Sequence, residues 1–239
     1  MMDMKKLLKG FTVLNDSKYL DILITTFNRQ VYLERCILSI HAASTLPVRI
    51  FVGDDHSTDG TLKLLEDYKQ QQRITDYFQP SKKAGTANLF NMLINRFVKS
   101  NYFIISNDDM WFRYQFDIML ATYLKKYQTA ASISFYDFTN LKIGTKSKYV
   151  ETNLVVTVST GLGCSLLNKT IFDKTLGFIL PPGRTMGFFA SKWCEVASKF
   201  GKHYCIVPAY AKHMDNVASL LNERINLGAY IDYRVKNKR

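Results

Sequence analysis

The first half of the chain alternates two hydrophobic rhythms. Short, nearly continuous apolar runs, Leu20 to Thr25, Val48 to Val52, Ile74 to Phe78 and Tyr102 to Ser106, are each followed by a stretch of helical pattern. Leu33, Ile37 and Ile40 form one stripe, and Leu62, Leu65 and Tyr68 another, at the three-to-four spacing of one buried helix face. Continuous apolar runs are how strands read when both faces of a parallel sheet are covered. The pattern therefore predicts strands over the four runs and helices from about Gln30, Asp59, Gly85 and Trp111. This βαβα order implies a three-layer α/β sheet. The second half is less regular. It predicts strands at Ala131 to Phe138, Leu154 to Val158 and His203 to Val207, with helices at Lys169 to Thr175 and Ala190 to Phe200, completing a mixed sheet and one wall of a site.

Composition narrows the class. With 47% hydrophobic and 22% charged residues, the chain can bury a sizeable core and is too balanced to be disordered or fibrous. No Gly/Ser-rich or Pro-rich linker and no repeat divides it, so one domain is expected. Its apolar runs fall far short of the roughly 20 residues of a membrane span. Lys5, Lys6 and Lys9 enclose only Leu7 and Leu8, not the roughly 7 to 15 apolar residues of a secretory signal, so a cytoplasmic protein is expected. Four scattered cysteines without a C-x-x-C pair read as buried thiols rather than a zinc site. Lys plus Arg outnumber Asp plus Glu by 32 to 20, which favours an acidic partner: a phosphate, nucleic acid or an anionic membrane.

In open α/β sheets ligands bind beyond the carboxyl ends of the strands, where the strand order reverses. The first predicted strand ends in Thr25-Thr26-Phe27-Asn28-Arg29, the second in Asp54-Asp55-His56-Ser57-Thr58-Asp59-Gly60, and the fourth in Asn107-Asp108-Asp109. Singly, these are ordinary helix caps and turns. Together, adjacent carboxylates ending two strands of one sheet call for a cation or hydrogen-bond donors between them.

These segments resemble the GT-A nucleotide-sugar glycosyltransferases, glycosyltransferase family 2 in particular. Ile22 to Arg29 is similar to the family's first strand, ending in an aromatic and Asn-Arg. Val52-Gly53-Asp54-Asp55-His56-Ser57-Thr58-Asp59 is similar to its "DDGSTD" turn, with His56 in place of Gly. Lys82-Lys83-Ala84-Gly85 followed by Asn91 matches its "N-x-G…N" helix, and Ser106 to Asp109 falls where its D-x-D-type metal motif belongs. Gly177-Phe178 and Val207-Pro208 through His213 resemble two later segments. The resemblance implies a three-layer α/β/α Rossmann-like GT-A fold with a mixed central sheet, formed by residues 1–239 as one domain. Its nucleotide-binding half would span about 18–110 and its acceptor and metal half about 111–215, followed by a basic tail.

The implied activity is metal-dependent, inverting transfer of a sugar from a UDP- or dTDP-type donor to a hydroxyl of a glycan or other acceptor. Asp55 can accept hydrogen bonds from a nucleobase or ribose, Phe27 can pack on the base and Thr25 can reach its polar edge. Arg29, Asp54, Lys82, Lys83, Asn91 and Asp108 complete the nucleotide-sugar contacts that the resemblance implies. Asp109, with His213, is the expected ligand of Mn²⁺ or Mg²⁺.

Two departures stand out: Phe90 replaces an Arg before the helix Asn, and Ala190 and Ser191 lie where the family carries its "ED" pair. Glu195, the nearest carboxylate, becomes the expected catalytic base. Trp111 and Trp193 are core residues that could alternatively face a sugar. A sugar-nucleotide nucleotidyltransferase is the second reading, although Thr26-Phe27-Asn28-Arg29 lacks the Gly-rich phosphate loop of that class. A catalytically inactive sugar- or nucleic-acid-binding module is the third. The lysines are dispersed rather than striped with aromatics, so no nucleic acid is expected. The tail Tyr233 to Arg239 offers a peripheral membrane contact.

Overall fold

The computed structural model describes residue 11 and residues 16–135, 147–160, 162–179 and 186–214. Its organising element is β1 (Leu20–Thr26), buried along its whole length. β2 (Val48–Asp54) and β4 (Tyr102–Asn107) flank it in parallel, and β3 (Asp76–Phe78) extends the β2 side. The crossovers are α1 (Gln30–Ala43), α2 (Thr61–Gln70) and α3 (Thr86–Phe97). The chain runs outward from β1 through β2 to β3, then returns to place β4 on the opposite side of β1. That reversal puts a crevice at the carboxyl ends of β1 and β4.

Successive β1 residues point to opposite faces, and both faces are covered. Ile22 and Ile24 join Leu33, Ile37 and Ile40 of α1 and Leu65 of α2 in one buried cluster. Leu23 joins Phe103, Ile105, and Phe90, Leu93 and Ile94 of α3 in the other. Each such side chain contributes roughly 1.5–3 kcal/mol on burial. The continuous apolar run in the sequence is the signature of this double coverage.

The remaining elements are β5 (Met110–Phe112), α4 (Phe116–Lys126), β6 (Ser132–Ser134), β7 (Ser147–Glu151), β8 (Leu154–Thr157), β9 (Cys164–Asn168), α5 (Lys169–Lys174), α6 (Met186–Ala197), β10 (His203–Ile206) and β11 (Ala211–His213). β9 lies antiparallel to β4 and carries the sheet onward. Among the described residues the result is a nine-stranded mixed sheet in the order β3-β2-β1-β4-β9-β6-β10-β8-β7. β5 and β11 form a separate antiparallel ribbon.

The helix expected from Trp111 begins instead at Phe116, because Met110–Phe112 is strand β5 and Gln115 takes a left-handed φ of 63° that separates the two. The apolar rhythm runs through this break, which is fixed by distant partners: β11, and Ser39 and Ala43 of α1. Residues 136–138, at the end of the strand expected from Ala131, lie outside the described residues. So does the basic tail. Trp193 is core, 2% exposed, with its indole N–H donated to Thr175 Oγ1 at 2.8 Å. Trp111 is half-buried against the β1 core. All four cysteines are buried and free.

Candidate active site

The turns that follow β1 and β2 are laced to each other. The Asn28 amide donates to Ser57 Oγ (2.8 Å), the Thr58 amide donates to Asn28 Oδ1 (2.6 Å), and the Asp55 amide donates to the Thr26 carbonyl (2.9 Å). Asp59 serves two helices at once, accepting from the Gln30 amide at the start of α1 and from the Thr61 amide of α2. His56, at φ 64°, holds the left-handed position for which the resemblance anticipated Gly.

These turns and the end of β4 enclose a cavity of about 200 Å³, lined by Thr25, Thr26, Phe27, Arg29, Asp55, Thr86, Leu89, Asn107, Asp108 and Asp109. That is below the roughly 300–1,000 Å³ of a complete ligand pocket and suits one end of a nucleotide sugar. The ring of Phe27 is exposed, with Lys83 Nζ 3.8 Å from its centroid. Asp55 accepts from the Ala84 and Gly85 amides at 2.7 and 3.1 Å, which keeps a lone pair on each oxygen for a further donor. Gly85 has φ 73° and open space where a Cβ would project.

At the end of β4 the side chains of Asp108 and Asp109 are 8% and 13% exposed. Thr26 Oγ1 donates to Asp108 Oδ2 at 2.7 Å, Arg29 Nε lies 3.3 Å from Asp108 Oδ1, and Arg29 Nη2 lies 3.0 Å from Asp109 Oδ2. Burial pushes the Asp108 carboxyl up to about 6, against the opposing pull of Thr26 and Arg29, while Asp109 adds to the rise. Asp109 Oδ1 is buried and has no hydrogen-bond partner among the described residues. An anionic oxygen in that state is costly unless a cation reaches it, so the pair fits a divalent metal. β11 places His213 opposite Met110 in the ribbon, and the Met214 amide donates to the Asp109 carbonyl at 2.8 Å. Among the described residues no three His, Cys, Asp or Glu side chains form a complete cage. Mg²⁺-type sites commonly take their remaining ligands from substrate phosphates and water.

Other expected residues lie elsewhere. Asp54 is fully buried, its carboxylate accepting from Ser57 and from Gln79 Nε2 (2.8 Å). Asn91 does not line the cavity: its Nδ2 donates to the Phe178 carbonyl (2.8 Å) and its Oδ1 accepts from the Phe178 amide (2.9 Å). Lys82 is exposed outside the lining. Glu195 was expected at the site, yet its side chain is 69% exposed and paired with Lys192 at 3.0 Å. The reason is geometric. Phe189, Ala190, Trp193, Cys194 and Ala197 form the buried stripe of α6, which turns Glu195 to solvent. Conversely Thr26, Thr86, Leu89 and Asn107 line the cavity without having been singled out. Thr26 and Asn107 belonged to the strand-end clusters, whereas nothing local marked Thr86 or Leu89.

Residues 21–187 match the family described as Glycosyl transferase family 2. A GalNAc(5)-diNAcBac-PP-undecaprenol beta-1,3-glucosyltransferase of Campylobacter jejuni subsp. jejuni serotype O:2 is 36% identical over 67 residues, 28% of this chain and 22% of that protein. The S. aureus TarS 1–349 structure superimposes with a TM-score of 0.65 at 15% identity, over 92% of this chain and 66% of that one. TarS 1–349 is also known in complex with UDP-GlcNAc. The mannosyltransferase PcManGT of Pyrobaculum calidifontis, in complex with GDP-Man and Mn²⁺, gives 0.59 at 16% identity, over 78% and 53% of the two chains. The chain thus spans 22% of the length of the curated relative and about half to two thirds of that of these solved structures. The structural likenesses establish the fold, and the family match extends from β1 through the acid pair to the start of α6: the chain belongs to glycosyl transferase family 2.

Proposed function

We propose that the chain is a metal-dependent, inverting glycosyltransferase that moves a sugar from a nucleoside-diphosphate donor, of UDP or dTDP type, to a hydroxyl of a glycan or other acceptor. The observation that carries this reading is the cavity at the ends of β1 and β4, where one exposed aromatic ring, three carboxylates and an arginine converge. The complexes of TarS with UDP-GlcNAc and of PcManGT with GDP-Man and Mn²⁺ support the donor class and the metal.

In this reading the base packs on Phe27, Thr25 meets its polar edge and Asp55 accepts hydrogen bonds from base or ribose. Asp108 faces the ribose or donor sugar, while Lys82, Lys83 and Arg29 draw the diphosphate in. Asp54 and Asn91 serve by shaping the turn and the Phe178 segment. Asp109 and His213 would hold Mn²⁺ or Mg²⁺, which when bound neutralises charge on the departing diphosphate. A single displacement inverts the anomeric centre and needs no protein nucleophile. Asp55 is engaged by backbone amides, Asp108 by Thr26 and Arg29, and Asp109 by Arg29. No proton-transfer step is assigned to Glu195, which the cavity lining does not include.

Calorimetric titration with UDP, dTDP and GDP in the presence of Mn²⁺ tests the reading. Binding of at least one diphosphate is expected, and Asp55→Ala should weaken it by roughly 1–3 kcal/mol. A folded protein that binds none of the three would overturn it.

A further inference from the structure

We propose, on the basis of the diphosphate reading above, that Arg29 is an internal counter-cation for the Asp108–Asp109 pair, so that a diphosphate must draw it away before Asp109 becomes fully available to a metal. Arg29 is here a positioning residue. It occupies the N-cap of α1 and reaches across to the end of β4, touching both carboxylates with separate nitrogens, Nε at 3.3 Å and Nη2 at 3.0 Å. Of the four oxygens of the acid pair, Thr26 and Arg29 lie against three, and Asp109 Oδ1 is buried without a hydrogen-bond partner among the described residues. Two adjacent carboxylates this deeply buried repel each other unless positive charge lies between them. A guanidinium supplies that charge at any physiological pH, since it does not deprotonate in proteins.

The same guanidinium is a rival to a second cation. A divalent ion arriving alone meets an acid pair whose charge is already offset and must share Asp109 with Arg29. A diphosphate changes the balance, because its oxygens accept the planar fork of Arg bidentately, and Arg29 already lines the cavity with its side chain 34% exposed. The Tyr32 ring, 4.5 Å from the guanidinium carbon, gives the side chain a fixed seat beside the cavity. Once Arg29 turns to the diphosphate, Asp109 has lost its counter-charge and a metal restores it. Coupling of this kind is reciprocal, so metal must favour diphosphate as much as diphosphate favours metal.

The test is equilibrium binding to the full chain of Mn²⁺ alone, UDP alone, and Mn²⁺ at saturating UDP. Calorimetry and the Mn²⁺ electron paramagnetic resonance signal are read for wild type, Arg29→Gln and Arg29→Lys, with circular dichroism confirming the fold. Arg29→Gln should bind Mn²⁺ alone about tenfold more tightly than wild type, and the enhancement by UDP should shrink by a similar factor. UDP alone should bind the variant less tightly, and Arg29→Lys, which keeps the charge, should stay near wild type for Mn²⁺ alone. Equal Mn²⁺ affinity in Arg29→Gln and wild type would overturn the proposal. So would wild-type Mn²⁺ affinity that UDP leaves unchanged, a result that stands even if Arg29→Gln does not fold. Wild type that binds no nucleoside diphosphate in any arm would instead remove the functional reading on which the proposal rests.

Discussion

At the scale of single residues, the acid pair divides its labour by burial. Asp108 is tied to Thr26 and its carboxyl is pushed up to about 6 by desolvation, whereas Asp109 keeps one buried oxygen without a hydrogen-bond partner among the described residues. Asp109→Asn retains the shape and removes the charge. It should lower metal-dependent transfer about 10²- to 10³-fold, as expected when several kcal/mol of transition-state stabilisation is lost at 1.36 kcal/mol per decade. The melting temperature should change little; transfer at the wild-type rate would overturn the proposed role of Asp109 as metal ligand. The convergence of Thr25, Phe27, Asp55, Asp108 and Asp109 was legible in the sequence, since each ends a predicted strand on one edge of the sheet. The orientation of each side chain was not. Asp54 and Asp55 are neighbours in the chain, yet one turns into the fold, held by Ser57 and Gln79, and the other lines the cavity, held by the Ala84 and Gly85 amides just before α3. Arg29 meets Asp109 across 80 positions of sequence, and no local pattern encodes that.

At the scale of elements, α3 anchors the segment after α5 through one side chain. Asn91 brackets the Phe178 backbone with both amide atoms, and Gly177, at φ 79°, lies so close that a Cβ there would approach Asn91 Oδ1 to 2.8 Å. Asn91→Ala should therefore destabilise the protein by roughly 1–3 kcal/mol through unsatisfied buried backbone groups. Hydrogen exchange should report faster loss of the Phe178 amide, and unchanged protection would show that the bracket contributes nothing. The elements read correctly from sequence are those with local signatures: β1, β2 and β4 by their continuous apolar runs, α1 and α2 by their stripes. β5, β7, β9 and β11 escaped because pairing rather than periodicity defines them. Lys148, Tyr149 and Val150 of β7 are all exposed, so that strand has neither alternation nor a buried run.

At the scale of the molecule, the far half of the sheet is joined by a buried polar node. The Ser132 hydroxyl donates to His203 Nδ1 at 2.8 Å, and His203 Nε2 donates to the Cys194 carbonyl at 2.9 Å, linking β6, β10 and α6. Desolvation pulls the imidazole down from 6.5 to about 4. The unfolded chain therefore binds more protons than the folded one between those values, and stability rises with pH across that window. The contribution is complete above about pH 6.5 and is lost as pH falls toward 4, amounting to about 2 kcal/mol between pH 7 and pH 5. Urea unfolding at those two pH values should show wild type losing more stability than His203→Gln by about that amount. Equal losses would mean that other groups govern the acid response.

The ribbon of β5 and β11 has a consequence in time as well as in space. It joins residues 110–112 to residues 211–213, closing a loop of about a hundred residues, a contact whose entropic cost must be met before it gives any return. During synthesis the strands that present Thr25, Asp55 and the acid pair emerge long before β11. A nascent chain can thus shape the nucleotide side of the crevice while the arm bearing His213 is still being made. In the proposed reading, the arm that would bring His213 toward Asp109 is therefore the last described part of the crevice to assemble.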